Sequence, residues 1–364
     1  MQSYLPTCLS RPTGGESPHR SKASGSPDPA SVLFGAVVIS GLLVASAAET
    51  AACSFIVGLG SETDEDPIAS EPLSPRKKRM PDVARPEVAG PPPSGAVTRG
   101  SLMASTLRAA IKARPLWYFF PLAFLLSWYP WLLSLLRFKA SGINPLGVLV
   151  AALLVAGLAT GWHGLKQVLL RIVRVRVNWR WYAVALLLPL AFVGLALALN
   201  LALGAARPAP QDWARWPDIF DRFVFGFLFV GLGEEPGWRG FALPELMRRR
   251  RALAASLLLG GIWALWHLPL LGNEFAPAQA LPFLITVFAG SVITAWIFNS
   301  SGQSVFLTML MHSTVNAVGA GYVFRFFGGM DSMRMWWIYA LLWAAAAVLV
   351  AWRTGAALTG FRRG

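Results

Sequence analysis

The sequence predicts an all-α fold, a polytopic transmembrane bundle of about eight spans behind a disordered N-terminal extension. Three observations predict it. Of the 364 residues 55% are hydrophobic and 14% charged, with 16 Trp and 22 Phe, a balance that excludes water as the main solvent. Apolar runs recur at close to the 20 or so residues that cross a hydrocarbon core. Basic residues cluster in the short stretches between those runs, where they set topology. The net charge of +14 therefore does not point to nucleic acid as a partner.

Residues 1 to about 100 are rich in Pro, Ser, Gly and charge and cannot bury enough apolar surface to fold, so they read as a disordered extension. Within it, residues 32–48 form an apolar stretch preceded by His19, Arg20 and Lys22, either an extra span or the core of a signal sequence. A start at Met103, just ahead of the first strong apolar run, is the alternative to a native extension. Cys8 and Cys53 also fall in this region, and two cysteines so placed support neither a disulfide framework nor a cysteine metal site.

The bundle occupies residues 115–352, with spans expected at about 116–136, 145–162, 181–204, 219–233, 253–271, 280–298, 304–323 and 335–352. Four basic clusters fall on one side of an eight-span arrangement. They are Arg108 to Arg114, Lys166 to Arg180, Arg248 to Arg251, and Arg353 with Arg362 and Arg363. By the positive-inside rule both termini of the bundle are expected in the cytoplasm. Residues 163–180, with Leu165, Val168, Leu169, Ile172 and Val173 between basic residues, are expected to form an amphipathic helix lying along the interface. Trp117, Tyr118, Trp179, Trp181, Trp336 and Trp337 read as interfacial anchors.

Polar chemistry inside spans is costly, so where it persists it usually faces a protein interior and marks function. Three segments qualify: Gly233 to Gly240 around Glu234, Glu235 and Arg239; Trp263 to Pro269 around His267; and His312 to Asn316. On a helix Glu235 and Arg239 share a face and can pair, whereas Glu234 points about 100° away and is left for other work. Each segment also has an ordinary reading: a helical salt bridge, a core histidine held by a backbone carbonyl, a polar contact between helices. Taken together, a carboxylate, two imidazoles and a carboxamide on three helices are the parts needed to activate a water and stabilise an oxyanion. Glu234, His267 and His312 could alternatively hold a zinc ion, although the spacing is not that of the HExxH motif.

At these residues the chain resembles the CPBP family of intramembrane metalloproteases, also called Abi, which includes the CAAX prenyl endopeptidases and bacteriocin-processing proteins. The family's EExxxR motif stands as Glu234, Glu235 and Arg239. Its aromatic-xxx-His motif stands as Trp263 and His267, with Trp where the family often has Phe, and its HxxxN motif as His312 and Asn316. The resemblance implies a membrane-embedded peptidase in which Glu234 and His267 activate water. His312 and Asn316 would support the oxyanion, or His312 a zinc ion, while Glu235 and Arg239 orient the carboxylate. It implies a peptide or membrane-protein substrate, which a CAAX specificity would require to be prenylated, and the Ala, Arg and Pro richness suggests a bacterial cell membrane. Two other classes fit the buried ionisable groups: a proton- or cation-coupled transporter, and a peptide-binding immunity protein of the same fold without catalysis. Against transport, no inverted repeat is visible.

Overall fold

The computed structural model describes residues 99–139 and 142–360. The extension, the apolar segment 32–48, both cysteines, and Arg362 with Arg363 lie outside the described residues. Among the described residues all regular structure is helical, apart from an isolated bridge between Leu271 and Phe275.

The helices are α1 (Arg99–Ala113), α2 (Pro115–Leu135), α3 (Leu146–Thr160), α4 (Trp162–Ile172), α5 (Trp179–Ala202) and α6 (Pro210–Ala214). They continue with α7 (Asp218–Phe225), α8 (Leu232–Gly237), α9 (Leu243–Met247), α10 (Ala252–Trp266), α11 (Ala280–Ser300), α12 (Val305–Thr314) and α13 (Gly329–Thr354). Helix occupies all eight intervals expected from hydropathy. Five stretches are individually long and apolar enough to cross a membrane: Pro115–Leu135, Trp179–Ala202, Ala252–Leu270, Pro277–Ser300 and Gly329–Ala357. The interval 145–162 holds the 15-residue apolar helix α3, which at 1.5 Å per residue is shorter than a hydrocarbon core.

Local chemistry sets the helix ends. Pro115 begins α2, where a missing N–H is tolerated, and Gly161, at φ 65°, ends α3 in a conformation that favours glycine. The Asn178 side chain caps α5 by accepting from the Arg180 backbone N–H at 3.0 Å. Ser304 caps α12 in the same way through Leu307 N–H.

Burial sorts the helices into centre and rim. In α11, 61% of the apolar window is buried, against 17% in α2 and 22% in α5. The rim helices turn Leu125, Leu187 and Leu195 outward, as side chains bathed in lipid should. The central helix α11 packs on both α10 and α13, α5 packs on α12 and α13, and α3 lies between α2 and α8.

Two local expectations are revised. The interfacial amphipathic helix stops at Ile172, and residues 173–178 follow as an irregular segment with hydrogen bonds from Val175 N–H to Val173 and from Val177 N–H to Val175. Stiff valines alternating with arginines in this run favour an extended path over continued helix. Helix α1 has no counterpart in the hydropathy pattern, being only weakly apolar, yet it packs on α2 and α3 and buries Ile111.

Candidate active site

Helix α8 carries Glu234 and Glu235 between two π-helical turns, Gly226–Gly231 and Trp238–Ala242. Pro236 lacks the N–H that would continue an α-helical ladder, and wider turns of this kind accommodate such an interruption and recur at functional sites. Glycines then allow the carboxylates to sit against a neighbouring helix. A Cβ on Gly233 would stand 2.8 Å from the carbonyl carbon of Pro145, and one on Gly237 would collide with Val148 Cγ1 and stand 2.7 Å from the Val148 carbonyl oxygen. The four-residue spacing of these glycines forms a small-xxx-small face that brings α8 backbone to backbone with the start of α3.

Glu235 and Arg239 are both 1% exposed and pair at 2.8 Å between Oε1 and Nη1. The same Oε1 accepts from His312 Nδ1 at 2.9 Å, so Glu235 ties α8 to α12. Arg239 has Nε and Nη2 without an acceptor among the described residues, but its Cζ lies 4.3 Å from the Trp263 ring centroid in a cation–π contact. A guanidinium sandwiched between a carboxylate and an indole has little freedom to move.

Glu234 is 3% exposed and takes a 2.8 Å hydrogen bond on Oε2 from the indole N–H of Trp263. It lies within electrostatic reach of His312, Glu235 and Arg239. Trp263 is also the residue that sequence reasoning undervalued: it served there only as an aromatic marker, whereas it touches Glu234, Arg239, His267 and His312. Its ring meets His267 and His312 edge-on at 5.3 and 5.6 Å. The available signal was an indole N–H inside an apolar span, a donor that must find an acceptor.

His267 is not in mid-helix but at the C-cap of α10, where Pro269 prevents continuation. Its Nδ1 lies 2.7 Å from the Trp263 carbonyl oxygen. A carbonyl can only accept, so Nδ1 carries the proton and a neutral ring presents its lone pair on Nε2. Trp266 and Phe283 flank the ring at 5.0 and 5.2 Å. No direct hydrogen bond joins His267 to Glu234 among the described residues; Trp263 connects them through its indole and its carbonyl. Asn316 is half-buried in the π-helical turn Val315–Ala320, and its side chain makes no hydrogen bond to another described residue. The wider turn begins between His312 and Asn316, which loosens the face-sharing expected from a four-residue α-helical spacing.

The zinc expectation needs Glu234, His267 and His312 to converge. Among the described residues no three His, Cys, Asp or Glu side chains are grouped to hold a metal. A metal there would need Oε1 of Glu234 and the Nε2 atoms of His267 and His312, and these three side chains are not grouped closely enough to form a three-ligand site.

Residues 216–318 match the model of the family described as Type II CAAX prenyl endopeptidase Rce1-like. The chain is also 29% identical over 102 residues to CAAX prenyl protease 2 of Methanococcus maripaludis. That match takes in 26% of this chain and 38% of the relative's length. The family match contains all three polar segments and both π-helical turns around α8.

Proposed function

We propose, from the similarity of residues 216–318 to the Type II CAAX prenyl endopeptidase Rce1-like family, that the chain is an intramembrane endopeptidase of the CPBP type. The observation that carries this reading is the buried cluster in which Trp263 bonds Glu234 and His312 bonds Glu235, joining α8, α10 and α12. Burying two adjacent carboxylates, a guanidinium and an imidazole within apolar helices is expensive, and a bundle needing only stability would do as well with hydrophobic side chains.

In this reading Glu234 takes a proton from water as the water oxygen attacks the scissile carbonyl carbon. His267, with the Nε2 lone pair set by the Trp263 carbonyl, assists in orienting that water. The developing oxyanion is stabilised by His312 and the Asn316 carboxamide. As the carbon–nitrogen bond breaks, the proton passes from Glu234 to the leaving amine, which balances the step. Glu235 and Arg239 hold α8 and His312 in place. No step is routed through a metal.

The substrate is a peptide or membrane protein delivered from the bilayer. The relative's name makes a prenylated C-terminal peptide the first class to try. The one-sided basic clusters support a reading with both ends of the bundle in the cytoplasm, and the Ala, Arg and Pro richness supports a bacterial cell membrane.

The test is cleavage of membrane-embedded peptides, prenylated and not, by the purified protein in bilayers. Wild type should cut, whereas Glu234→Gln and His267→Ala should not. Cleavage undiminished in Glu234→Gln would overturn the assignment of the base, and a wild type inert toward every peptide class would favour the transporter reading.

A further inference from the structure

Away from the polar cluster, a cavity of about 580 Å³ opens at one end of the bundle, between the segment that follows α4 and the turn joining α11 to α12. Arg174, Arg176 and Asn178 supply its polar wall together with Ser301, and Val173 and Trp181 contribute apolar surface. No carboxylate lines it. The acid within electrostatic reach of the neighbouring Arg171 is Glu245, which is already paired with Arg248 at 3.3 Å.

The walls are held by specific hydrogen bonds. Arg174 Nη1 donates to the Gly302 carbonyl at 2.6 Å, and Ser304 Oγ donates to the Arg174 carbonyl at 2.6 Å. Arg171 spans from Gln303 Oε1, at 3.1 Å, to the Gly240 carbonyl, at 2.6 Å, and the Tyr182 hydroxyl donates to Val175. Gly302 and Gln303 both adopt a φ of 70°, which keeps the opposing turn tight. The cavity is therefore preformed, so a ligand entering it need not order its lining. Arg176 is exposed and makes no ion pair among the described residues. The location, at the ends of apolar helices and beside Trp179 and Trp181, is the depth at which phospholipid headgroups lie.

We propose that this cavity binds the phosphate-bearing headgroup of an anionic phospholipid. Arg174 and Arg176 meet the phosphate, the Asn178 carboxamide N–H groups offer neutral donors, and the valines with Trp181 take the first carbons below it. Basic pockets between membrane helices recognise headgroups in this way, with charge complementarity setting preference over zwitterionic lipid. The site does not depend on the proteolytic reading.

Native mass spectrometry of the whole chain, with phosphatidylglycerol and phosphatidylcholine as probes, tests it. Wild type should retain phosphatidylglycerol in preference to phosphatidylcholine. Arg176→Gln, which removes no hydrogen bond within the protein, should weaken phosphatidylglycerol binding about fivefold, the usual worth of one basic residue at an anionic surface. Arg249→Gln, an equal loss of charge outside the cavity, should leave it unchanged. Equal retention of the two lipids, no effect of Arg176→Gln, or equal losses in the two variants would overturn the proposal. So would displacement of the lipid by inorganic phosphate, which would identify a soluble anion as the occupant.

Discussion

The indole nitrogen of Trp263 donates to Oε2 of Glu234 at 2.8 Å, so the orientation of the carboxylate on α8 is fixed by a side chain on α10. A phenylalanine, the residue common at this place in the family the chain resembles, would keep the ring but offer no N–H.

Trp263→Phe should therefore separate the donor from the ring. A hydrogen bond to a carboxylate is worth about 1.5–3 kcal/mol, so peptide cleavage should fall roughly tenfold to a hundredfold if all of it is expressed in the transition state. The fold should survive, because the edge contacts to His267 and His312 remain. Measuring kcat/KM alongside a thermal melt checks both halves, and an unchanged rate would remove Trp263 from any positioning role.

Neighbouring carboxylates should respond differently to loss of charge. Glu234→Gln should lower cleavage by about 10² or more with little effect on yield, the usual share of general-base catalysis. Glu235→Gln removes the anion opposite Arg239 and His312; breaking a buried pair costs about 3–5 kcal/mol, so reduced thermal stability and yield are expected first. Purifying and melting both variants in the same detergent decides the matter, and a reversed pattern would exchange the two roles.

Gly237 provides a test of packing independent of chemistry. Its absent Cβ is what allows Val148 to approach, so Gly237→Ala must push α8 from α3. Overpacking of this kind costs about 1–3 kcal/mol. A lowered melting temperature is expected, and an unchanged one would mean that the two helices can separate freely.

Cleavage should persist after treatment with a zinc chelator, given that Glu234, His267 and His312 do not converge as a ligand set. Loss on chelation and recovery on adding back zinc would show that these side chains rearrange around a metal in the working enzyme.

Topology can be read with cysteines at Arg250 and Asn273, which lie beyond opposite ends of α10. A membrane-impermeant thiol reagent applied from outside the cell should label the second and not the first. The reverse pattern would invert the bundle.

How much of this was legible beforehand follows from the range of each interaction. Hydropathy is a local property, so the eight helical intervals, the alternation of basic clusters and the three polar segments could be read along the chain, and a four-residue spacing sufficed to pair Glu235 with Arg239. What joins different helices was not legible. Whether His312 reaches Glu235 or Glu234 depends on how α12 rotates against α8, and that depends on the π-helical turns and on glycines that let α8 lie against α3. The position of His267 at a helix end, by contrast, had a local signal in Pro269, two residues on. Sequence alone determined which polar groups enter the membrane, because their desolvation cost is paid residue by residue. Only the tertiary structure decided which of them meet, because a hydrogen bond acts over about 3 Å, and the separation of helices far apart in the chain is set by side-chain packing.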